Sequence, residues 1–269
     1  MLYMFWKTFL HLVIIILLTI VTQVGGIIYL ITILFIGKKK SKKQIKRLSV
    51  FTALYLTATF LIIPNIAPFF GREKIKETQH LKAHSLFYKL ANRNYVKPAL
   101  NKSLNEISIA FEKQQNGIQL VYLDANFPFI DKFPLLPHLS HNDGKKIDVS
   151  LIYEKQNGEG TNMKKSISGY GVFETPKKTE TNQNNICKSK GYWQYDFPKY
   201  LTLGTVNSTL KLSEKGTSKL AREILKHKNI GKVFIEPHLK NRLRLTNNKV
   251  RFHGCQAVRH DDHIHFQLN

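Results

Sequence analysis

The apolar residues of this chain fall into two patterns that divide it. Residues 8–36 are almost unbroken apolar, with His11, Gln23 and the Gly25-Gly26 pair as interruptions, and residues 48–70 contain no charge. Each run exceeds the roughly 20 residues that cross a bilayer as a helix. The first is too long for the apolar core of a signal peptide, lacks a small-residue cleavage site and is followed at once by the second. The pattern predicts a two-helix hairpin in a membrane.

Beyond residue 70 the periods shorten. Residues 73–92 are polar and helix-leaning, and read as a stalk. Leu104, Ile107 and Phe111, with Glu106 and Glu112 facing away, predict an amphipathic helix over 103–115. A strand follows over 118–124, then a Pro- and Phe-rich connection over 127–137 that suits neither regular structure. Asn142-Asp143-Gly144 is a turn signal. After it, Ile147, Val149, Leu151 and Tyr153 alternate with Asp148, Ser150 and Ile152, so Asp148 points away from the apolar face of a strand. Residues 156–200 lose all periodicity and carry aromatic islands at Tyr170, Phe173, Tyr192 and Trp193, a long excursion over one face. A helix over 212–227 with Ser213 or Thr217 as N-cap, a strand over 232–236 and a short helix opened by Pro237 complete the middle. The chain closes on Ile264, Phe266 and Leu268 alternating with His263, His265 and Gln267, a strand with two imidazoles on one face. The sum is an α+β protein: a membrane hairpin over 1–70, a stalk over 71–102, and a small antiparallel-sheet domain with flanking helices over 103–269.

Charge orients this layout. Residues 38–47, between the two apolar runs, hold seven Lys or Arg and no acid, which marks a cytoplasmic loop. Both termini then lie outside, against a weaker opposing pull from Arg72, Lys74, Lys76 and Lys82. Residues 1–70 contain eight basic and no acidic side chains, leaving 33 basic against 18 acidic, or +15, on 71–269. Such an excess draws a domain to lipid headgroups or wall polymers. A loop so short between two spans is no nucleic-acid patch, so no nucleic-acid partner is expected. Cys187 and Cys255 either pair, as an exported domain permits, or stand as separate thiols.

The chemistry gathers at two places. A catalytic zinc site takes three protein ligands and leaves a position for water. His141 on the turn, Asp148 on the following strand and His265 on the last strand supply them. His263, on the ligand face two residues before His265, is the candidate to move the proton. Asp261 and Asp262 either orient imidazoles or belong to a turn, His238 and His253 read as structural, and Trp193 and Tyr192 read as buried anchors under the excursion before groove residues.

His138-x-x-His141-x6-Asp148, followed far downstream by His260-Asp261-Asp262-His263-x-His265, resembles the penicillin-insensitive murein endopeptidase family. Its wider zinc peptidase group includes lysostaphin, D-alanyl-D-alanine dipeptidases and the hedgehog domain. Ser140, Gly144 and the segment Val233-Phe234-Ile235-Glu236-Pro237-His238-Leu239-Lys240 extend the likeness, which covers about residues 104–269. The resemblance implies zinc on His141, Asp148 and His265, His263 as catalytic base or transition-state stabiliser, and His138 and His260 in supporting catalytic positions. It also implies cleavage of peptide cross-links in peptidoglycan, here from the outer side of the cytoplasmic membrane. The family's members are typically soluble periplasmic proteins with more cysteines, and the 156–200 excursion has no clear counterpart among them. A catalytically silent zinc module that docks on wall or anionic surface, and a D,D-carboxypeptidase of the same metal chemistry, are the alternatives.

Overall fold

The computed structural model describes residues 2–36 and 43–269, so residues 38–42 of the expected basic loop lie outside the described residues. The first apolar run is not one helix. α1 (Leu2–Thr22) stops at Gln23, whose backbone turns left-handed with φ 67°, and α2 (Gly25–Phe35) doubles back along it. Glycine is required where the two helices touch. A Cβ on Gly26 would stand 2.0 Å from Thr19 Oγ1 and 2.5 Å from Ile15 O. Further along, His11 Nδ1 and Tyr29 OH meet at 2.8 Å across the pair. With 11 residues, α2 is about 16 Å long, half of what a bilayer needs.

α3 (Lys43–Thr57) continues to Phe70 through a π turn at Ala58–Ile62. The widening has a local cause, because Pro64 has no N–H to offer the carbonyl of Phe60. Two stretches, Leu2–Thr22 and Gln44–Phe70, are long and apolar enough to cross a membrane. Tyr3 and Lys7 share a cavity with Gln44 and Arg47, whereas Gln23 Oε1 accepts the Phe129 N–H of the domain at 3.0 Å. The start of α1 and the domain therefore sit at opposite ends of the helices. The simple hairpin, with both on one side, is corrected by the reversal at Gly25-Gly26.

The domain is built on a six-stranded sheet of β1 (Leu81–Ala83), β2 (Leu120–Tyr122), β3 (Lys146–Ser150), β4 (Ile230–Phe234), β5 (Val250–Arg251) and β6 (His263–Leu268), ordered β5-β4-β6-β3-β2-β1. The centre is antiparallel as expected, but the outer pairs β1–β2 and β4–β5 run parallel. Alternation places Ile264 and Phe266 of β6 and Ile147 and Val149 of β3, all with no exposed surface, in the main core with Leu104, Ile107, Leu220 and Ile224. The last four come from α4 (Pro98–Glu112) and α5 (Glu214–Lys226). Ser213 is the N-cap of α5, accepting from Gly216 N at 3.3 Å.

Residues 71–102 form no stalk. β1 is the sheet edge, Ile75, Leu81, Tyr88, Val96 and Leu100 are core residues, and α4 begins within this stretch at Pro98. The cause is length: these elements run two to five residues before α4, too short to display a period. Arg72 binds Asp131 and the Phe127 carbonyl, and Tyr95 packs with Val24, Ile63 and Ala67 of the helices. A chain beginning at residue 71 is expected to melt cooperatively by circular dichroism. One beginning at residue 103, stripped of the edge strand and those apolar side chains, is expected to show no transition; a cooperative melt there would make 71–102 dispensable.

Candidate metal centre

Asp148, fully buried in β3, is the direct cross-strand partner of His265. Directly opposed residues project to the same face, so pairing alone brings His265 Nδ1 to 2.9 Å from Asp148 Oδ1. His141 comes from the turn before β3. Its Nδ1–H donates to Ala125 O at 2.8 Å, which fixes the ring and leaves Nε2 as a lone pair. That nitrogen lies 3.0 Å from His265 Nδ1 and 3.2 Å from Asp148 Oδ1. Four-coordinate sites with bonds of about 2.0–2.1 Å have ligand-to-ligand edges of about 3.4 Å, and this triangle is close to that size. The buried group can hold a metal ion. Without a cation or proton the converging electron pairs repel one another, in a place where each unsatisfied polar group costs about 1–3 kcal/mol.

A second group, His138, Asp148 and His263, shares the aspartate. His138 Nδ1 lies 3.2 Å from both Asp124 Oδ2 and Asp148 Oδ2, and His263 Nε2 stands back at 3.7 Å from Asp148 Oδ1. The His263 Nδ1–H donates to Asp262 Oδ1 at 2.5 Å, whereas its Nε2 and that of His138 are buried with no hydrogen-bond partner among the described residues.

Electrostatics separate the imidazoles. Burial alone lowers the pKa of His263, but the carboxylates of Asp148 and Asp262 outweigh it and lift the ring to about 9. Burial takes His265 down to about 3, with its bond to Asp148 opposing, so this ring is neutral, as a metal ligand must be. Burial raises Asp148, yet His141, His263 and His138 together hold it well below the carboxylate range. A cation on Asp148 neutralises the largest attraction acting on His263, and the ring then moves back toward the neutral form.

A cleft of about 590 Å³ opens above the ligands, between Leu136, Leu139 and His141 on one side and Trp193, Phe197 and His253 on the other, with His260 and His265 in its lining. No family model matches this chain, and no curated protein matches its sequence.

The excursion is structural to the site. Its Tyr170 OH donates to Asp148 Oδ2 at 2.8 Å and accepts from Asp124 N, Gly171 N–H donates to Asp262 Oδ2 at 2.6 Å, and Cys187 and Cys255 form a disulfide. Arg259 pairs with Asp196 and Asp261 beneath it, and Glu236 takes Tyr195 OH together with His260 N–H. The six predicted site residues, His138, His141, Asp148, His260, His263 and His265, thus lie together, with His260 packed between His263 and His253. His253 stands exposed at the cleft wall, edge-on to Phe234. Trp193 is likewise 73% exposed and lines the cleft, so it is no buried anchor. His238 is structural, its Nε2 donating to Glu174 O at 2.7 Å.

None of Tyr170, Asp124 and Glu236 was picked out as a site residue from the sequence. Tyr170 stands in an aperiodic stretch, and only a buried carboxylate's demand for a donor points to it. Replacing Tyr170 with Phe leaves Asp148 Oδ2 without that donor and is expected to weaken metal binding about 10–100-fold, read by competition with a chromogenic chelator. Unchanged affinity would exclude this role for Tyr170.

Proposed function

We propose that the chain is a membrane-anchored zinc metallopeptidase that hydrolyses peptide cross-links of peptidoglycan. The observation that carries this reading is the buried triangle of His141 Nε2, Asp148 Oδ1 and His265 Nδ1 at the floor of an open cleft. The resemblance to murein endopeptidases, which rests on those residues, supports the substrate class. Two nitrogens and one carboxylate oxygen suit zinc, and a zinc ion held there would polarise a scissile carbonyl and make a water more acidic.

The chain's own groups do the rest. Asp262 fixes the His263 ring through Nδ1, so Nε2 is free to accept a proton from the attacking water and to pass it to the leaving amine. Asp124, itself paired with Arg93 at 3.1 Å, and Tyr170 hold His138 and Asp148. His260 contributes to the cleft wall beside His263. A silent zinc module needs no unpartnered imidazole beside the ligands, and this favours turnover over that alternative.

Cleavage of purified cross-linked muropeptides, followed by chromatography, is expected and should stop with a chelator. His141→Ala or Asp148→Ala should lose both zinc and activity. His263→Ala should retain about one zinc by elemental analysis and lose about 10²–10⁴-fold in turnover. A full chain that binds no zinc would falsify the proposal.

By the positive-inside tendency, the seven positive charges of residues 38–47 favour the cytoplasm for that end of the helices, and the domain leaves from the other end. A reporter active only outside the cytoplasm should therefore work when fused after Asn269. A tag before Met1 should resist protease in intact spheroplasts. Cytoplasmic activity of the first fusion would remove the wall as substrate.

A further inference from the structure

The domain has no stalk, and it packs along the helix that tethers it. Tyr55 OH, near the end of α3, donates to Leu90 O at 2.6 Å, and the Phe70 and Phe129 rings pack at a tilt with centres 5.0 Å apart. The short helix Leu86–Leu90 that supplies this carbonyl leaves Leu86 and Phe87 exposed, beside a helix that the proposed function puts across a bilayer.

Phe87 is tied to the rim of the cleft through Arg93. The Arg93 guanidinium lies 5.9 Å from the Phe87 ring centre and binds the carbonyl of Leu136, so it bridges Phe87 to the rim segment that carries the exposed Leu136 and Leu139. On the other flank Tyr88 OH donates to Ser168 O, and Ile167 N–H donates to Gly204 O at 3.0 Å. This brings in Leu203, 71% exposed, which follows the 3-10 helix Trp193–Leu201 that forms the opposite cleft wall. Exposed apolar and aromatic side chains thus stand on both lips of the cleft and beside the tethering helix. Monomers seldom expose such a patch without a use for it, and aromatic side chains with nearby cations are the signature of the lipid interface. Lys199 stands on the Trp193–Leu201 helix.

We propose that this rim rests in the interfacial layer of the bilayer that holds α1 and α3, so that the cleft takes peptide carried on a lipid-anchored amphiphile. The contact of the Leu86–Leu90 helix, with its exposed Leu86 and Phe87, against a candidate spanning helix is what selects lipid as the occupant. The substrate part of the inference rests on the peptidase reading; the lipid contact does not depend on catalysis.

The chain has two tryptophans, Trp6 and Trp193, so Trp6→Phe leaves a single reporter on the rim. With the full chain in phosphatidylglycerol-containing vesicles, Trp193 emission is expected to be quenched by lipids brominated on the acyl chain and protected from aqueous iodide. Quenching by iodide alone overturns the lipid contact. Protection from both quenchers also overturns it, since that marks a protein surface, such as a second copy, over the rim. For the substrate, one cross-linked peptide is offered to the same vesicles either free in solution or coupled to a phospholipid. The coupled form should be cleaved at least about tenfold faster through its higher local concentration. Phe87→Ser with Leu203→Ser, neither of which lines the cleft, should abolish that preference and leave the free peptide's rate unchanged. Equal rates with the unsubstituted rim overturn the substrate class, whereas no cleavage of either peptide counts against the peptidase reading and leaves the quenching result to decide the rim.

Discussion

The register between β3 and β6 is the constraint on which both the core and the site depend. His265 faces Asp148 because Phe266 faces Ile147 and Ile264 faces Val149. A slip of one residue would turn the imidazoles and the carboxylate into the core and send Phe266 and Ile264 out. Burying two such side chains is worth about 1.5–3 kcal/mol each, so the apolar face holds the ligand face in place. The polar face does not drive this pairing, since it gathers a carboxylate and imidazoles that are costly to bury without a cation. The free energy that positions the donors comes from the opposite side of the sheet.

That division explains what was legible in the sequence. Alternation over residues 147–153 and 264–268 is long enough to read, so both strands and the facing of Asp148, His263 and His265 follow from it, whereas His138 and His260 were carried by the resemblance; α5 with its Ser213 cap and the helix opened by Pro237 follow from their own caps and periods. Where elements are short the reading fails: β1, the helix Leu86–Leu90 and the first residues of α4 are held by tertiary contacts of Leu81, Tyr88 and Leu100 and carry no period of their own. Tyr170 and Asp124 escape for a related reason. Their function is to complete the hydrogen bonding of Asp148 and His138, and that demand exists only after folding.

The two glycines at positions 25 and 26 show the limit of a hydropathy reading. Apolar content says that a segment tolerates lipid and says nothing of its direction. Direction is set by Gln23 in the left-handed region and by glycines that admit Thr19 and Ile15 at distances no side chain allows. The reversal makes three helical segments from two apolar runs. It also puts the Gln23 turn against Phe129, at the head of the loop that runs to Leu136 and His138 on the cleft, so the helices are in contact with the segment that delivers the site.

Charge distribution follows from the same arrangement. Within residues 71–269, seven of the 18 acidic side chains are buried, against four of the 33 basic ones. Six of those acids, Asp124, Asp148, Asp196, Glu236, Asp261 and Asp262, lie at the centre or in the network that ties the excursion to it. They are matched inward by Arg93, Arg259 and the imidazoles. Drawing negative charge inside in this way leaves the solvent-facing surface more cationic than the net +15 states. Long-range attraction to an anionic lipid or polymer acts through that surface and is screened beyond about 8–10 Å at ordinary salt. Capture by such a surface is therefore a short-range event, and a domain already held against its own helices needs no stalk to reach it.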